Sequence, residues 1–376
     1  MGGELKKFSI SGYKSIRSLK DFEVRNLNVL IGGNGAGKSN FIQIFKMLAA
    51  MTTKNLSSFV LQRGGADNFL FNGPRITQSI KADFEFNSES PFSQASNYYR
   101  FELTPTVNEK FIISEEREYV NTAPRSYGTP SEESRLYDYR NEKSLANEEF
   151  NGVGYFVYKA IASWVVYHFH DTSETAAMRR SEIIEDVQVF RNNASNIAPF
   201  LLNLKNIYKK QYDDIINAIR LVMPFFADFR LDTIHFGEAE KVKLSWNQKG
   251  SDYPMQAYHL SDGSMRFICL ATALLQPNPP SIIVIDEPEL GLHPEAIAVL
   301  AELIIDASTR TQVIVATQSP TLINYFSIDD IVVVNRKNGQ SEFERLKEKD
   351  FSVWLEDYSV GELWVKNIIS GGTEYE

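Results

Sequence analysis

A glycine-rich run followed by lysine and serine, Gly32-Gly33-Asn34-Gly35-Ala36-Gly37-Lys38-Ser39, stands between an apolar segment and an amphipathic one. Glycines let consecutive main-chain N–H groups approach an anion closely, because they carry no Cβ. A helix that begins behind the loop adds the positive end of its dipole. Lys38 can reach terminal phosphates, and the Ser39 hydroxyl can bind Mg²⁺. The spacing predicts a phosphate loop for a nucleoside triphosphate; the alternative is a glycine turn with an incidental Lys-Ser pair.

Two adjacent carboxylates, Asp286 and Glu287, follow the apolar run 282–285. An apolar run without alternation predicts a strand buried on both faces. Its carboxyl end is the edge where such sheets bind ligands. There Asp286 would hold Mg²⁺ through water, and Glu287 would polarise the attacking water. The alternative, a strand that simply ends in an acidic turn, is disfavoured by the phosphate loop elsewhere in the chain.

A third motif, Leu260-Ser261-Asp262-Gly263-Ser264-Met265-Arg266, precedes an apolar pattern at helical spacing. Ser261 and Gly263 would lie at a helix N-terminus, where main-chain N–H groups are free. The motif therefore predicts a second anion site, although an ordinary N-cap has the same residue types.

Together these motifs resemble the Walker A, signature and Walker B segments of an ABC-type ATPase head. The variant is similar to the RecF/SMC/OLD branch, which includes predicted bacterial AAA-family ATPases. Two further segments fit that branch, Phe8-Ser9-Ile10-Ser11-Gly12-Tyr13-Lys14-Ser15 and Ala316-Thr317-Gln318-Ser319-Pro320. The resemblance covers nearly the whole chain. It implies an α/β fold in which a mixed sheet with the phosphate loop and an antiparallel β lobe carry an inserted, mainly helical lobe.

The resemblance also implies a homodimer that forms head to head on binding ATP and Mg²⁺. Ser261 and Gly263 of one subunit would cap the γ-phosphate held by Lys38 of the other, and residues 290–293 would cross the interface as the D-loop. Lys14 would lie near the nucleotide, although an exposed surface lysine is an equal alternative. The implied nucleotide-binding residues are Asn34, Gly35, Ala36, Gly37, Lys38, Ser39, Asn40, Lys14, Ser261 and Gly263, and the implied metal ligands are Ser39 and Asp286.

Two departures from the family pattern affect the chemistry. Gln318 stands at the switch position, where the family usually has histidine. A glutamine can donate an N–H to a phosphate but cannot change charge. We therefore expect slow hydrolysis, with Glu287 as base and with Lys38 and Gln318 assisting. The family's Q-loop glutamine has two candidates, Gln62 and Gln78, and either could equally be a surface residue.

The motif positions divide the chain into three parts, the head halves 1–120 and 246–376 and a linker with an inserted lobe at 121–245. We expect an exposed connection at 121–154 and helices at 155–169, 194–204 and 208–223. SMC relatives insert long coiled coils, but residues 121–245 show no sustained heptad. OLD relatives carry a C-terminal Toprim nuclease, and the stretch after Gln318 is too short for one, so we expect none.

Within the lobe, an aromatic–histidine cluster comprises Trp164, Tyr167, His168, Phe169, His170 and Asp171. It supplies only part of a metal-ligand set, so a helix core with an edge contact is favoured over a metal site. Basic residues recur nearby at Arg179, Arg180, Lys205, Lys209 and Lys210. A solvated helix face is the favoured explanation, and contact with nucleic-acid phosphates is the alternative.

The composition limits the partners. The 376 residues are 43% hydrophobic and 23% charged, with a net charge of −9, which argues against sequence-independent coating of DNA. No apolar run approaches the roughly 20 residues of a membrane span. The single cysteine, Cys269, suits a cytoplasmic protein and a buried position.

The motifs and the resemblance together favour an ATP-hydrolysing switch that acts on DNA or a partner protein. The resemblance implies a role in DNA repair or in defence against foreign DNA. A non-hydrolysing nucleotide-sensing scaffold that regulates a partner effector is the alternative, which Gln318 supports and Glu287 opposes. A transport ATPase is disfavoured by the signature and the large insertion.

Overall fold

The computed structural model describes residues 3–87, 96–144, 151–237 and 239–369. Its strands are β1 (Leu5–Tyr13), β2 (Ile16–Glu23), β3 (Leu27–Ile31), β4 (Ile80–Asn87), β5 (Ser96–Pro105), β6 (Phe111–Tyr119), β7 (Arg125–Ser126), β8 (Val165–Tyr167), β9 (Glu182–Ile183), β10 (Phe226–Arg230), β11 (Thr233–Phe236), β12 (Ala239–Val242), β13 (Ser245–Gln248), β14 (Pro254–Gln256), β15 (Ile282–Asp286), β16 (Gln312–Thr317), β17 (Ile331–Lys337) and β18 (Gln340–Arg345). Its α-helices are α1 (Lys38–Met51), α2 (Leu56–Leu61), α3 (Val153–Ala162), α4 (Ile197–Ile207), α5 (Lys209–Val222), α6 (Asp262–Leu275), α7 (Pro294–Ser308), α8 (Pro320–Ile323), α9 (Glu348–Leu355) and α10 (Val360–Val365).

A central sheet with the strand order β18-β17-β3-β16-β15-β8 positions the chemical motifs. Its neighbours pair in parallel, except for β18, which forms an antiparallel hairpin with β17. Strands β3 and β16 are buried at every position, as expected for parallel strands covered on both faces. The carboxyl ends of β3, β15 and β16 therefore meet at one edge.

Successive side chains of the central strands enter two separate hydrophobic cores. Val29, Ile283 and Val315 belong to the core that contains the apolar faces of α4, α5, α6 and α7. Their neighbours Leu30 and Val284 belong to the core that contains α1 and the inner face of the antiparallel sheet. This alternation follows from the two-residue period of a strand.

The antiparallel sheet, with the order β2-β1-β4-β5-β6-β7, covers α1. Phe8 on β1 contacts both Phe41 on α1 and Phe84 on β4 through its ring. On the opposite face Arg100 forms ion pairs with Asp83 and Glu118. One face of this sheet is therefore packed in the core, and the other carries charged side chains.

The region after β8 builds a smaller lobe against α6. Helices α4 and α5 confirm the helices predicted at 194–204 and 208–223, with bounds shifted by a few residues. Two three-stranded sheets, β10-β13-β14 and β11-β12-β9, accompany them, so the lobe contains strands as well as helices.

The helix predicted at 155–169 is wrong beyond Ala162. Helix α3 ends there, and Val165–Tyr167 forms β8, which pairs in parallel with β15. Part of the range 121–245 thus belongs to the central sheet. The exposed connection predicted at 121–154 is also partly wrong, because Tyr127 and Leu136 are buried; its residues 145–150 lie outside the described ranges. The three-part division itself stays a prediction.

Two elements near the C-terminus follow from local residue types. Asn338 and Gly339 both have positive φ, 50° and 74°, in the turn between β17 and β18, as a two-residue hairpin turn requires. Ser359 and Glu362 form a capping box at the start of α10. Among the described helices, none is long and apolar enough to cross a bilayer.

Trp164 joins the two sheets, and its loss should destabilise the fold. It is 4% exposed and contacts Phe45 on α1 and Phe86 on β4 at ring distances of 5.4 and 6.1 Å. We expect Trp164→Ala to lower the free energy of unfolding by about 3–5 kcal/mol. The control Trp354→Ala removes a side chain that is 47% exposed and should cost about 0.5 kcal/mol. Urea unfolding followed by far-ultraviolet circular dichroism measures both, and equal losses would contradict this role.

Candidate nucleotide-binding site

The phosphate loop connects β3 to α1 and is held in a conformation that only glycine adopts easily. Gly37, the N-cap of α1, has φ of 120°, and Gly35 has φ of 77°. Lys38 is 6% exposed, and its Nζ donates to the carbonyl oxygens of Gly32 at 2.6 Å and Gly33 at 3.2 Å. The ammonium group is thus buried against oxygen acceptors of its own loop, in the position from which it can reach phosphate oxygens.

Two serines outside the glycine-rich run hold the phosphate loop, and neither was predicted to have this role. Ser341 Oγ donates to the Ala36 carbonyl at 2.6 Å, and it lies 2.7 Å from Ser15 Oγ. Ser15 Oγ in turn accepts from Asn40 Nδ2 at 2.7 Å. A Cβ on Gly37 would collide with Ser341. No local pattern could have revealed Ser341, because its role comes from a contact across the sheet.

The two carboxylates predicted from the acidic motif lie at the same sheet edge as Lys38. Glu287 has φ of 46°, and its main-chain N–H donates to the Ala316 carbonyl at 2.8 Å. Gln318 Nε2 donates to Glu287 Oε1 at 2.6 Å. The amide of the switch residue therefore orients the carboxylate predicted to be the base.

The electrostatics of this edge are coupled. Burial lowers the pKa of Lys38, and the nearby carboxylates of Glu287, Asp286 and Glu289 oppose that shift. Burial raises the pKa of Asp286, and the Glu287 carboxylate raises it further. Within the described chain the Asp286 carboxylate has no hydrogen bond or ion pair, although it is only partly exposed. Such a carboxylate is suited to a cation.

Glu289, to which the sequence analysis gave no role, anchors the end of β16. Its Oε1 accepts from the Thr317 hydroxyl at 2.6 Å and from the Gln318 main-chain N–H at 3.3 Å. Its Oε2 is buried and has no hydrogen-bond partner among the described residues, and burial raises the pKa of the Glu289 carboxyl group. The spacing of two residues from Glu287 could have pointed to it, since the Pro288 turn returns it to the same edge.

The signature motif forms the start of α6, as predicted. Ser261 is the N-cap, and its Oγ accepts from the Ser264 main-chain N–H at 3.1 Å. A Cβ on Gly263 would collide with the Gly291 carbonyl, so the signature packs directly against the D-loop of its own chain. Leu290 in that loop is 48% exposed. In the described ranges the hydrogen bonds of the Ser261 side chain go to Ser264 and none to the phosphate loop.

Arg266 of the same motif is buried and links three segments. Its Nε donates to the Phe169 carbonyl at 2.9 Å, its Nη2 to the His170 carbonyl at 3.4 Å, and its Nη1 to the Leu290 carbonyl. Tyr167 ends β8, and residues 168–171 of the aromatic–histidine cluster follow it to the site edge, so the predicted helix is wrong there. The predicted core position is confirmed for Trp164, Tyr167 and Phe169, which are buried. Among the described residues, no group of three His, Cys, Asp or Glu could hold a metal ion.

The remaining candidates lie outside the glycine-rich run and the acidic motif. The Lys14 ammonium lies 4.8 Å from the centre of the Phe69 ring. Gln62 follows α2, and Gln78 precedes β4. Two of the recurring basic residues form ion pairs, Arg179 with Asp262 and Lys205 with Asp228.

Cys269 is buried, as expected, and burial raises the pKa of its thiol. A thiol with a raised pKa carries little thiolate, so Cys269 is a packing residue of α6.

Residues 27–324 match the family model described as "AAA domain, putative AbiEii toxin, Type IV TA system". The retron Vc95 probable ATPase of Vibrio cholerae serotype O1 biovar El Tor is 21% identical over 390 aligned positions, gaps included. The matched region covers 88% of this chain and 73% of that protein.

Two solved structures have a similar fold. One is an SMC head bound to the C-winged helix domain of ScpA, with a TM-score of 0.61, 14% identity and coverage of 93% of this chain and 99% of that one. The other is an SMC head domain with an extended coiled coil, bound to the C-terminal domain of ScpA derived from Pyrococcus furiosus, with a TM-score of 0.59, 15% identity and coverage of 94% and 99%. The protein therefore has the fold of an ABC/SMC-type ATPase head, and it belongs to the AAA-domain family that the matched model describes.

Proposed function

We propose that this protein is a slow, ATP-driven switch that closes as a head-to-head homodimer and acts on DNA or a partner protein in defence against foreign DNA. The observation that carries the proposal is the meeting of Lys38, the Asp286–Glu287 pair and Gln318 at one sheet edge, with Gln318 bonded to Glu287. This is the set of groups that nucleotide hydrolysis needs.

The residues of this edge divide the chemistry. The main-chain N–H groups of the phosphate loop and Lys38 bind the phosphates, and Ser39 and Asp286 hold Mg²⁺. The fit of Asp286 is supported by its half-buried carboxylate, which has no hydrogen bond or ion pair among the described residues. An Mg²⁺ ion held by these residues would supply positive charge against the terminal phosphates. Glu287 accepts a proton from the attacking water, and the Gln318 amide keeps the carboxylate in place.

The proposed dimer interface consists of the signature motif and the D-loop. Ser261 and Asp262 are exposed at the start of α6, and Gly263 packs against Gly291 beside exposed Leu290. These groups form one continuous surface, and a helix N-terminus on it suits an anion. In a two-fold dimer this surface caps the phosphate loop of the partner subunit, and the partner caps this one.

The biological role is inferred from the relatives. A similar protein is a probable ATPase of a retron, which favours defence over general DNA repair. The SMC heads of similar fold are bound to domains of ScpA, which supports a switch that passes its nucleotide state to a partner protein. The net charge of −9 favours a protein partner or a local DNA contact over broad DNA binding.

Removing the switch amide should slow hydrolysis without abolishing binding. We expect Gln318→Ala to lower kcat by about 10-fold, because Glu287 loses the donor that orients it. Phosphate release measures turnover, and a fluorescent ATP analogue measures binding. Gln340→Ala is the matched control, since it removes a Gln–Glu contact on the exposed hairpin. Unchanged turnover in Gln318→Ala would remove the residue from the mechanism.

Blocking the base should trap the closed dimer. We expect Glu287→Gln to be a monomer without nucleotide and a dimer in saturating Mg·ATP, because binding energy closes the dimer and hydrolysis no longer opens it. Light scattering after size-exclusion chromatography measures the mass. A monomer under both conditions would contradict the dimer. Equal phosphate release by wild type and Glu287→Gln would instead support a non-hydrolysing scaffold.

A mixing experiment tests whether the pocket is shared. Lys38→Ala removes the phosphate-binding cation, and Ser261→Arg blocks the exposed signature, so each homodimer should be inactive. In an equal mixture about half of the dimers are mixed, and each has one intact composite pocket. We expect recovery of about a quarter of wild-type turnover per subunit. A mixture as inactive as its components would contradict a pocket built from two subunits.

A further inference from the structure

The histidines that follow β8 have no part in the function proposed above, yet His170 contacts its acidic motif. Strand β8 pairs in parallel with β15, with Tyr167 opposite Ile285. Because parallel strands end at the same edge, His168 and His170 follow β8 where Asp286 ends β15. The centres of the two imidazole rings lie 4.2 Å apart, and their planes are tilted by 42°.

His170 has a direct contact with the acidic turn. Its Nε2 lies 3.0 Å from the main-chain carbonyl oxygen of Asp286. A carbonyl oxygen is only an acceptor, so Nε2 is the donor in this bond. His168 has no comparable side-chain hydrogen bond within the described ranges.

The bond fixes one particular peptide group. The carbonyl of the Asp286–Glu287 peptide accepts from His170, and its N–H donates to the Ala316 carbonyl at 2.8 Å. The peptide is therefore held from both neighbouring strands. Glu287 has φ of 46°, a backbone conformation that side-chain-bearing residues rarely adopt and that persists when its surroundings hold it. The direction of both carboxylates depends on this peptide.

The end of β8 is itself anchored. Arg266, which is 6% exposed, donates to the carbonyls of Phe169 and His170 from the signature helix. His170 is thus a fixed donor, supported from behind by α6.

We propose that His170 is a positioning residue for hydrolysis, which holds the Asp286–Glu287 peptide so that the metal-binding and base carboxylates point to the γ-phosphate. This inference rests on the proposed function. It concerns turnover and not nucleotide affinity, because the phosphate loop has its own supports in Ser15 and Ser341.

The test compares three variants of the full chain. His170→Ala removes the donor, and we expect kcat for ATP to fall about 10- to 100-fold, since a small displacement of a catalytic group has that effect. The dissociation constant of a fluorescent ATP analogue should change less than about 2-fold. His170→Gln keeps an N–H donor on a side chain of similar reach and should recover most of the turnover. His168→Ala, which removes the neighbouring ring and no side-chain hydrogen bond of the described residues, should stay within about 2-fold of wild type.

The outcomes separate this inference from the proposed function. Wild-type turnover that Glu287→Gln abolishes, together with full turnover in His170→Ala, overturns only the role of His170. A His170→Ala variant that loses binding and turnover in parallel, or a His168→Ala variant that is equally impaired, assigns the pair a structural role and also overturns it. If His170→Ala does not fold, failure of a folded His170→Gln to exceed 10% of wild-type turnover, roughly a tenfold loss, has the same meaning. Absence of wild-type hydrolysis overturns both.

Discussion

The buried ammonium of Lys38 is the charge on which the rest of the site depends. Removing an ammonium from water costs several kcal/mol unless oxygen acceptors replace its hydration. Here two carbonyls of its own loop do so, while three carboxylates oppose the lowering of its pKa from a distance. This arrangement keeps the cation in place, and no carboxylate of the described residues forms a direct ion pair with it. A triphosphate can therefore replace the carbonyls as acceptor, with greater charge complementarity.

The central sheet supplies the geometry for this balance. Strand β3 lies beside β16, and β16 lies beside β15, so the loop, the switch and the acids share one edge despite their separation in sequence. Both faces of these strands are buried in large cores. The polar edge thus has a rigid, apolar support, which is what precise placement of charged groups needs. Glu289 extends the support, since its buried carboxylate holds Thr317 and Gln318 at the end of β16.

The sequence could predict the elements whose patterns are local. The continuous apolar runs of β15 and β16, the Asn338-Gly339 turn and the capping box of α10 each depend on neighbouring residues. Strand β8 could not be predicted, because a three-residue strand inside an aromatic run has no period that separates it from a helix. Its assignment comes from pairing with β15, more than 100 residues away. Ser15 and Ser341 were missed for the same reason, since their contact joins the two ends of the chain.

These supports divide the site into two halves that different parts of the chain hold. Ser15 in the β1–β2 turn and Ser341 in the β17–β18 hairpin fix the phosphate loop. His170, which follows β8, fixes the acidic turn. Arg266 of α6 fixes the end of β8 and the D-loop. Gly263 packs on Gly291 in the second half, so the signature and the D-loop belong with the acids. A nucleotide bound by the first half would face the carboxylates of the second half and so connect the two halves. A change in its terminal phosphate would act first on the Asp286–Glu287 peptide. From there the hydrogen bonds of Arg266 lead directly to the surface that we propose as the dimer interface, because the same guanidinium contacts the end of β8 and the carbonyl of Leu290.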